Sequence, residues 1–228
     1  MNKVLVVIAA HPDDEVLGCG GTIARLAREG YSVHILFMGD GETSRIDIIE
    51  KPDLSRQKKR YAAALRACKI LGCDSIKQLD FPDNRMDSVP LLDVVKAIEV
   101  FINTHQPSIV LTHHSGDVNI DHCVVHDAVI VACRPQPDSF VRELLFFETP
   151  SSTEWNSPDN GKPFYPNWFV DISTTMDLKF QALSAYQDEL RPFPHPRSLK
   201  VIESLAVWRG ATAGVNAAEA FILGRKLV

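Results

Sequence analysis

The chain has 228 residues and a formal net charge of -5, with 45% hydrophobic and 23% charged residues. This length fits one domain better than two, and the composition is that of a soluble globular protein, which excludes the disordered, collagen-like and disulfide-scaffold classes. The acidic balance lacks the basic footprint that nucleic acid requires, and no stretch reaches the roughly 18–20 apolar residues of a membrane span.

The amino-terminal residues predict a βαβ unit. Residues 4–9 form an unbroken apolar run rich in β-branched residues, which is typical of a strand buried on both faces of a parallel sheet. Residues 18–29 are predicted to form a helix that closes on Gly30, and residues 31–40 a second strand. Because the strands of a βαβ unit run parallel, this segment predicts a parallel sheet.

The rest of the chain continues the alternation and predicts a single α/β domain over residues 1–228. The helix that follows the polar loop around Pro52 is expected to place Tyr61, Leu65 and Cys68 on its inner face. The remaining predicted strands are residues 107–114, 141–149 and 168–172, and the predicted helices are residues 54–71, 89–104, 120–133, 174–189, 197–210 and 215–225.

The cysteines and the amino terminus bear on the cellular compartment. Cys19, Cys68, Cys73, Cys123 and Cys133 form an odd set without a CxxC pair, so neither a disulfide framework nor a four-cysteine zinc site is predicted. The apolar run near the amino terminus ends in charge and is too short for a signal peptide. We therefore expect reduced thiols and a cytoplasmic protein.

Polar clusters follow three of the predicted strands. They are HPDDE at residues 11–15, MGDGE at residues 38–42 and THHSGDVNIDH at residues 112–122. In an open α/β sheet the carboxyl ends of parallel strands share one edge, and ligands bind there. The histidines and carboxylates of these clusters are therefore expected to converge.

A divalent metal would offset the repulsion between the acidic residues of the first cluster. Two histidine nitrogens and one carboxylate oxygen with an open position are a common catalytic zinc set. His11 and Asp14 would supply two ligands from one turn, and the third is expected from His122 or His126, which share one helical face. Asp13 is the candidate general base, because a metal lowers the pKa of a bound water to about 7.

Each cluster by itself has a plainer interpretation. HPDDE fits a loop that begins a helix, and two histidines four residues apart are more often ordinary helix residues. His113 and His114 could end a strand, Asp40 could form a turn, and Cys123 and Cys133 fit a hydrophobic core. The presence of two polar clusters on one predicted sheet edge nevertheless favours the metal site.

At these residues the sequence resembles the LmbE-like, or PIG-L-like, family of zinc-dependent N-acetylglucosamine deacetylases. The similar motifs are AHPDDEVLGCGGTIARLAREG at residues 10–30, GDVNIDHCVVHDA at residues 116–128 and RPFPHPRSLKVIESLAVWRGATAGVNAAEAF at residues 191–221. The resemblance implies a Rossmann-like three-layer sandwich with a mainly parallel sheet.

The resemblance also implies a mononuclear zinc held by His11, Asp14 and His122. It implies a zinc-bound water as nucleophile and Asp13 as general base, with attack on an amide carbonyl and release of acetate and a free amine. Iron, cobalt or manganese would suit the same donors, so Fe²⁺ is an alternative to Zn²⁺.

The chain departs from the family pattern at one position. Many members carry a histidine three residues before the last ligand, where this chain has Asn119, which can donate a hydrogen bond but cannot supply a proton. The leaving amine would then take its proton from Asp13 after protonation, from His195, or from one of His113 and His114. Asp13 needs no additional group.

Other side chains are expected to support the centre or to contact substrate. Glu15 would begin the helix or hydrogen-bond the site, and His126 would support a ligand, because a catalytic zinc keeps an open position. Trp155 and Trp168 flank a proline-rich loop and fit either a sugar-stacking platform or anchors on the core. The candidates for substrate contact, each of which also fits a surface or capping role, are Arg56, Asn119, His195 and Arg197.

The sequence thus predicts a metal-dependent amide hydrolase that removes an N-acetyl group from a small-molecule amino sugar or its conjugate. The alternatives are a deformylase or other N-deacylase acting on a sugar or antibiotic precursor, and an inactive sugar- or metal-binding module, which the loss of a histidine at Asn119 motivates. A dinucleotide-binding oxidoreductase is suggested by GCGGT at residues 18–22, but the acidic turn before it would repel a pyrophosphate. The sequence leaves open the sugar, the native metal and whether the protein is a homo-oligomer.

Overall fold

The computed structural model describes residues 2–45, 54–157 and 161–228. The strands are β1 (Val4–Ala9), β2 (Ser32–Gly39), β3 (Ser75–Phe81), β4 (Ile109–His113), β5 (Glu143–Phe147), β6 (Trp168–Asp171) and β7 (Ala218–Lys226). The helices are α1 (Asp14–Arg28), α2 (Leu54–Leu71), α3 (Leu91–His105), α4 (Ile120–Ala132), α5 (Met176–Ala185) and α6 (Leu199–Ala213). Across these residues, no helix combines the length and the apolar character needed to cross a bilayer.

The predicted α/β class with a mainly parallel sheet is confirmed. The strands form one seven-stranded sheet in the order β3-β2-β1-β4-β5-β7-β6. The pairs from β3 through β5 are parallel, while β7 runs antiparallel to both of its neighbours. Leu5 and Val7 of β1 pack in the core shared with α1, α2 and α5, whereas Val6 and Ile8 pack in the core shared with α3 and α4. Helices therefore cover both faces of the sheet, as in a three-layer sandwich.

The prediction of a helix over residues 215–225 is wrong. This segment contains β7, which lies between β5 and β6 and pairs with both. Pairing on both sides outweighs the helical preference of the alanines and leucine in this segment, because strand propensity depends on tertiary neighbours. The sequence also gave no prediction for β3, an edge strand whose residues are half-buried or exposed and which therefore shows little apolar pattern.

The predicted bounds of α2 are confirmed, but its inner face is partly different. Cys68 is buried and Tyr61 half-buried, whereas Leu65 is 49% exposed. The buried positions include Ala63 and Ala67. Small alanines give a weak hydrophobic signal, so the sequence pattern pointed to the larger leucine instead.

The first helix is broken next to the candidate site. α1 begins at Asp14, earlier than predicted, and Cys19 has a φ of -146° and a ψ of 22°, outside the helical region. A Cβ added at Gly18 would lie 2.3 Å from Phe147 Cδ2, and one at Gly21 would lie 2.8 Å from Ile172. The glycines of the GCGG segment therefore permit close packing of α1, which is a different purpose from a dinucleotide-binding turn.

The sheet brings the polar clusters to one edge. β1 pairs in parallel with both β2 and β4, so the carboxyl ends of these three strands lie side by side. Beyond the last residue of β1, the Ala10 N–H donates to Nε2 of His113 at 2.9 Å, which links the ends of β1 and β4 directly.

Gly18→Ala tests the close packing of α1. The added methyl group would overlap the Phe147 ring, and overpacking of this kind costs about 1–3 kcal/mol. We expect a matching loss of unfolding free energy in urea denaturation. Gly20→Ala is the control, because its Cβ would lie 3.1 Å from a Val16 methyl group, a much milder contact than the 2.3 Å approach at Gly18. Equal stability of both variants would contradict this account.

Candidate metal centre and catalytic turn

The three residues predicted as metal ligands come together at the carboxyl edge of the sheet. His11 follows β1, Asp14 begins α1, and His122 lies in the first turn of α4. Asp14 Oδ2 lies 3.6 Å from His11 Nδ1 and 3.3 Å from His122 Nε2. All three side chains are buried, and one ligand atom of each lies within 4.8 Å of the others. Two imidazole nitrogens and a carboxylate oxygen fit a divalent cation in donor type and spacing.

Carboxylates on the far side of His11 orient its ring. The Nε2–H group donates to Asp121 Oδ2 at 2.9 Å and lies 3.1 Å from Asp83 Oδ1, which leaves Nδ1 facing Asp14. Burial lowers the pKa of His11, but these carboxylates outweigh burial and raise it well above the ordinary value. His11, Asp83 and Asp121 also lie close enough to hold a metal, yet the hydrogen bond from Nε2 already explains their arrangement.

His122 has the same kind of support. Its Nδ1 lies 3.1 Å from Asp117 Oδ2, so Nε2 is left facing Asp14. Asp117 also accepts hydrogen bonds from the Ser152 and Thr153 hydroxyls. Burial opposes the charged imidazole, but Asp14 and Asp117 raise the pKa of His122 to about 9. A carboxylate on the outer nitrogen of each histidine is the usual way in which metal-binding imidazoles are oriented.

The turn that carries Asp13 is strained and held from inside the protein. Asp13 has a φ of 119°, which costs a residue with a side chain about 1–3 kcal/mol. Glu15 stabilises this conformation, because its Oε2 accepts the Asp13 N–H at 2.9 Å and its Oε1 accepts the Tyr186 hydroxyl at 2.7 Å. Burial raises the pKa of Glu15 to about 8, although these two hydrogen bonds oppose the rise.

Asp13 also belongs to a ring of alternating charges. Its Oδ2 accepts from Arg197 Nη1 at 2.9 Å, and its Oδ1 lies 3.2 Å from Arg60 Nη2. Glu189 closes the ring, at 3.1 Å from Arg60 and 3.5 Å from Arg197. Burial raises the pKa of Asp13, while Arg197 and Arg60 oppose that rise. Among the described residues no group donates a hydrogen bond to Oδ1, so this buried oxygen, although paired with Arg60, retains the capacity to accept a proton.

The predicted substrate-contacting residues lie around this centre in different settings. Arg56 is exposed on α2, and it is Arg60, one turn later, that reaches Asp13. Arg197 is bound to Asp13, and its N–H donates to Nδ1 of His195 at 3.1 Å. Asn119 is the N-cap of α4, where its Oδ1 accepts the N–H two residues later. Contact of these four residues with substrate stays a prediction.

The two tryptophans differ in their surroundings. Trp155 is exposed, and its ring lies edge-on to His195 with 5.7 Å between the ring centroids. Trp168 is half-buried in β6, with the Lys226 ammonium 4.3 Å from its ring centroid. Trp168 therefore fits the anchoring role, while Trp155 presents a ring surface to solvent next to the loop that carries Arg197.

His113 and His126 form a neutral support behind the centre. His113 Nε2 accepts the Ala10 N–H, which puts the ring proton on Nδ1, 3.4 Å from Thr149 Oγ1. Its ring stacks on His122 at 3.9 Å, and His126 Nδ1 donates to the His113 carbonyl at 2.9 Å. Burial lowers the pKa of His113 well below its ordinary value, and that of His126 also falls. A neutral His113 with both nitrogens engaged is a poor source of a proton for a leaving amine.

Several residues that complete the centre were not singled out from the sequence: Arg60, Asp83, Asp117, Asp121 and Glu189. Asp117 and Asp121 lie within the motif GDVNIDH, so their closeness to His122 in the chain was a usable signal. Arg60 and Glu189 carry no such signal, because folding alone brings them to Asp13.

The region that carries the candidate ligands matches a known protein family. A sequence model described as PIG-L, GlcNAc-PI de-N-acetylase, matches residues 6–133. The chain belongs to the PIG-L family. The matched region contains all three candidate metal ligands of the PIG-L domain and Asp13, whereas Arg197 and Glu189 lie beyond it.

Proteins similar to this chain have names that indicate different activities. The uncharacterized deacetylase YaiS of Escherichia coli K12 is 37% identical over 191 residues, which cover 81% of this chain and 91% of YaiS. Diacetylchitobiose deacetylase of Thermococcus kodakarensis is 27% identical over 226 residues, with coverages of 95% and 81%. The solved structure of 4-carboxy-2-hydroxymuconate hydratase from Pseudomonas putida KT2440 superposes with a TM-score of 0.77 at 24% identity, over 99% of this chain and 98% of that one. Shared architecture therefore does not by itself decide the reaction.

Asp117→Asn tests the support of His122. The change keeps the shape of the side chain but removes the negative charge behind the imidazole, so we expect zinc affinity to fall about 10–100-fold in a chelator-competition titration. Asp127→Asn, at an exposed position of the same helix, is the control and should bind zinc as the native protein does. Native-like affinity of Asp117→Asn would contradict the assigned role.

Metal binding is expected to release protons at neutral pH. Without a bound metal, the pKa of His122 is raised from 6.5 to about 9. The protonated imidazole therefore stabilises the folded state fully below pH 6.5, and this stabilisation is lost as the pH rises through 9. A metal must displace that proton, so zinc affinity should rise with pH up to about 9. Calorimetric titrations at pH 7 in buffers of different ionisation enthalpy would measure the proton release. Binding without proton release at pH 7 would refute the expectation.

Proposed function

We propose that this protein is a metal-dependent N-deacetylase that removes the acetyl group from an N-acetyl amino sugar or its conjugate. The main support is the convergence of the buried donors His11, Asp14 and His122, together with the neighbouring residue Asp13, which has a buried oxygen that accepts no hydrogen bond. Hydrolysis of an amide needs a polarised carbonyl and a base for the attacking water, and this arrangement offers both. Membership of the PIG-L family supports the same reaction.

The donor set fits zinc, with iron, cobalt or manganese as alternatives for the same nitrogen and oxygen ligands. A bound divalent cation would supply Lewis-acid polarisation of the carbonyl and a lowered pKa for water. The residues of this chain supply the rest. Asp13 Oδ1 would take the proton of the attacking water, while Arg197 holds Oδ2 and fixes the direction of the carboxylate.

The proton taken by Asp13 is also the best source for the leaving amine. Burial raises the pKa of Asp13, which favours a carboxyl group that can both accept and return a proton. His113 is neutral and fully hydrogen-bonded, and Asn119 carries no transferable proton. We therefore prefer Asp13 for both proton transfers, as base and then as acid, because it needs no additional group; His114 and His195 are the alternatives.

The sugar substrate is proposed from the relatives, among which a diacetylchitobiose deacetylase covers most of this chain. N-Formyl and other N-acyl sugars remain alternatives, as does an inactive binding module. Hydration is a second candidate reaction, because a 4-oxalmesaconate hydratase of Pseudomonas putida is 27% identical over 79% of this chain. A hydratase would use the same base to activate water but would need a substrate with a polarised double bond.

An amine-release screen separates these possibilities. The protein, loaded with Zn²⁺ or with Fe²⁺, is incubated with N-acetylglucosamine, N,N'-diacetylchitobiose and N-formylglucosamine, and free amine and carboxylate are quantified. We expect acetate and amine in equal amounts. Loss of absorbance from an unsaturated dicarboxylate without amine release from any sugar would establish hydration instead, and no turnover in either assay would favour the binding module.

Asp13→Asn tests the general base. The amide cannot accept the water proton, so we expect kcat to fall about 10²–10⁴-fold while the metal content by elemental analysis stays unchanged. The surface variant Asp127→Asn should keep native turnover. Full activity in Asp13→Asn would reject the assignment of this residue as base.

A further inference from the structure

The break in α1 is filled by a buried ion pair from two distant elements. In a continuous helix the Gly21 N–H would donate to the Leu17 carbonyl four residues earlier. Here the Gly21 N–H donates instead to Glu219 Oε1 at 2.9 Å, and the Leu17 carbonyl accepts from Lys179 Nζ at 2.9 Å. Lys179 Nζ and Glu219 Oε1 lie 2.6 Å apart. The ion pair thus stands in the place of one backbone hydrogen bond.

The signs of the two charges match the helix ends that they face. Glu219 Oε2 also accepts the Thr22 N–H at 2.7 Å, so the carboxylate caps the start of the second helical piece. The Lys179 ammonium lies at the carbonyl end of the first piece, where the helix dipole favours a cation. The two halves of α1 are therefore fixed by opposite ends of the same ion pair.

Stability alone gives little reason for this arrangement. Lys179 and Glu219 are 3% and 4% exposed, so both charges are removed from water. A buried ion pair is often no more stabilising than well-packed apolar side chains of similar size. The ion pair also fixes the orientation of the backbone groups that it contacts, namely the Leu17 carbonyl and the N–H groups of Gly21 and Thr22.

The Leu17 carbonyl belongs to the same helical piece as the candidate metal ligand Asp14. The first piece of α1 carries Asp14 and Glu15, and the N–H groups of Val16 and Leu17 both donate to the Asp13 carbonyl, at 3.1 and 2.9 Å. Through the Leu17 carbonyl, Lys179 therefore holds this turn from its carboxyl end.

We propose that Lys179 and Glu219 are positioning residues that set the orientation of the metal-ligating turn of residues 13–18 by replacing the Gly21-to-Leu17 hydrogen bond of α1. The inference rests on the metal site of the proposed function but not on the reaction catalysed there. It also gives a role to two sequence motifs that the catalytic assignment leaves unexplained, GCGG at residues 18–21 and AAEAF at residues 217–221.

Metal binding by the purified protein tests this role without any activity assay. Glu219→Gln keeps the side-chain shape but offers one acceptor oxygen in place of two and leaves the Lys179 ammonium without its carboxylate. We expect zinc affinity to fall at least about tenfold and the visible absorption spectrum of the Co²⁺-loaded protein to change, because the Asp14 ligand is displaced. Lys179→Met should have the same effects, and Lys179→Arg, which keeps charge and donors, should restore most of the affinity.

A stability-matched control separates positioning from general destabilisation. Ile98→Ala removes a buried side chain of α3 in the opposite helical layer, and it should lower the melting temperature while leaving zinc affinity and the Co²⁺ spectrum unchanged. If Glu219→Gln fails to fold, Glu219→Asp, which keeps the charge but shortens the reach, replaces it.

The outcomes separate the positioning role of Lys179 and Glu219 from the existence of the metal site. Native zinc affinity and a native Co²⁺ spectrum in Glu219→Gln and Lys179→Met, alongside a lowered melting temperature, would overturn the positioning role alone. Failure of the native protein to bind zinc or cobalt would overturn both the metal site of the proposed function and this inference.

Discussion

The burial of the Asp14 carboxylate between two imidazoles is the constraint on which the rest of the site depends. A charge in a dry interior is costly unless opposite charges and hydrogen bonds surround it. Burial raises the pKa of Asp14, yet His122 and His11 outweigh burial and hold it well below the ordinary value. The surrounding carboxylates also raise the pKa values of both histidines, which fits a site that favours positive charge beside Asp14. Asp117 and Asp121 then balance those imidazoles from outside.

Two neighbouring carboxylates at this edge have opposite electrostatic settings. The pKa of Asp14 is lowered by the histidines, whereas burial raises the pKa of Asp13 in spite of Arg197 and Arg60. Because their pKa values are shifted in opposite directions, two adjacent aspartates can take different roles, one as a charged ligand and the other as a proton-transferring group. Asp13, with a φ of 119°, is the residue at which the chain turns between β1 and α1.

Support for the turn comes from parts of the chain that are far away in sequence. Glu219 on β7 and Lys179 on α5 fix the broken helix behind the turn, and Arg197 meets Asp13 in front of it. These residues lie beyond the segment 6–133 that the family model matches. The carboxy-terminal part of the chain therefore completes a site whose candidate ligands all come from the first part.

The sequence by itself determined the α/β class and the first βαβ unit, because hydrophobic periodicity is encoded locally. It also led to the expectation that His11 and Asp14 meet a histidine of the third polar cluster, and the resemblance to the PIG-L-like family pointed to His122 among the candidates. Only the tertiary structure decided that residues 218–226 form β7 and not a helix, and that Arg60 is the arginine that reaches Asp13. Both outcomes depend on partners distant in the chain, namely two flanking strands and a carboxylate on another loop. A local sequence pattern indicates which side chains are apolar or charged. Which residues they pack against or pair with depends on the tertiary fold, because those partners are distant in the chain.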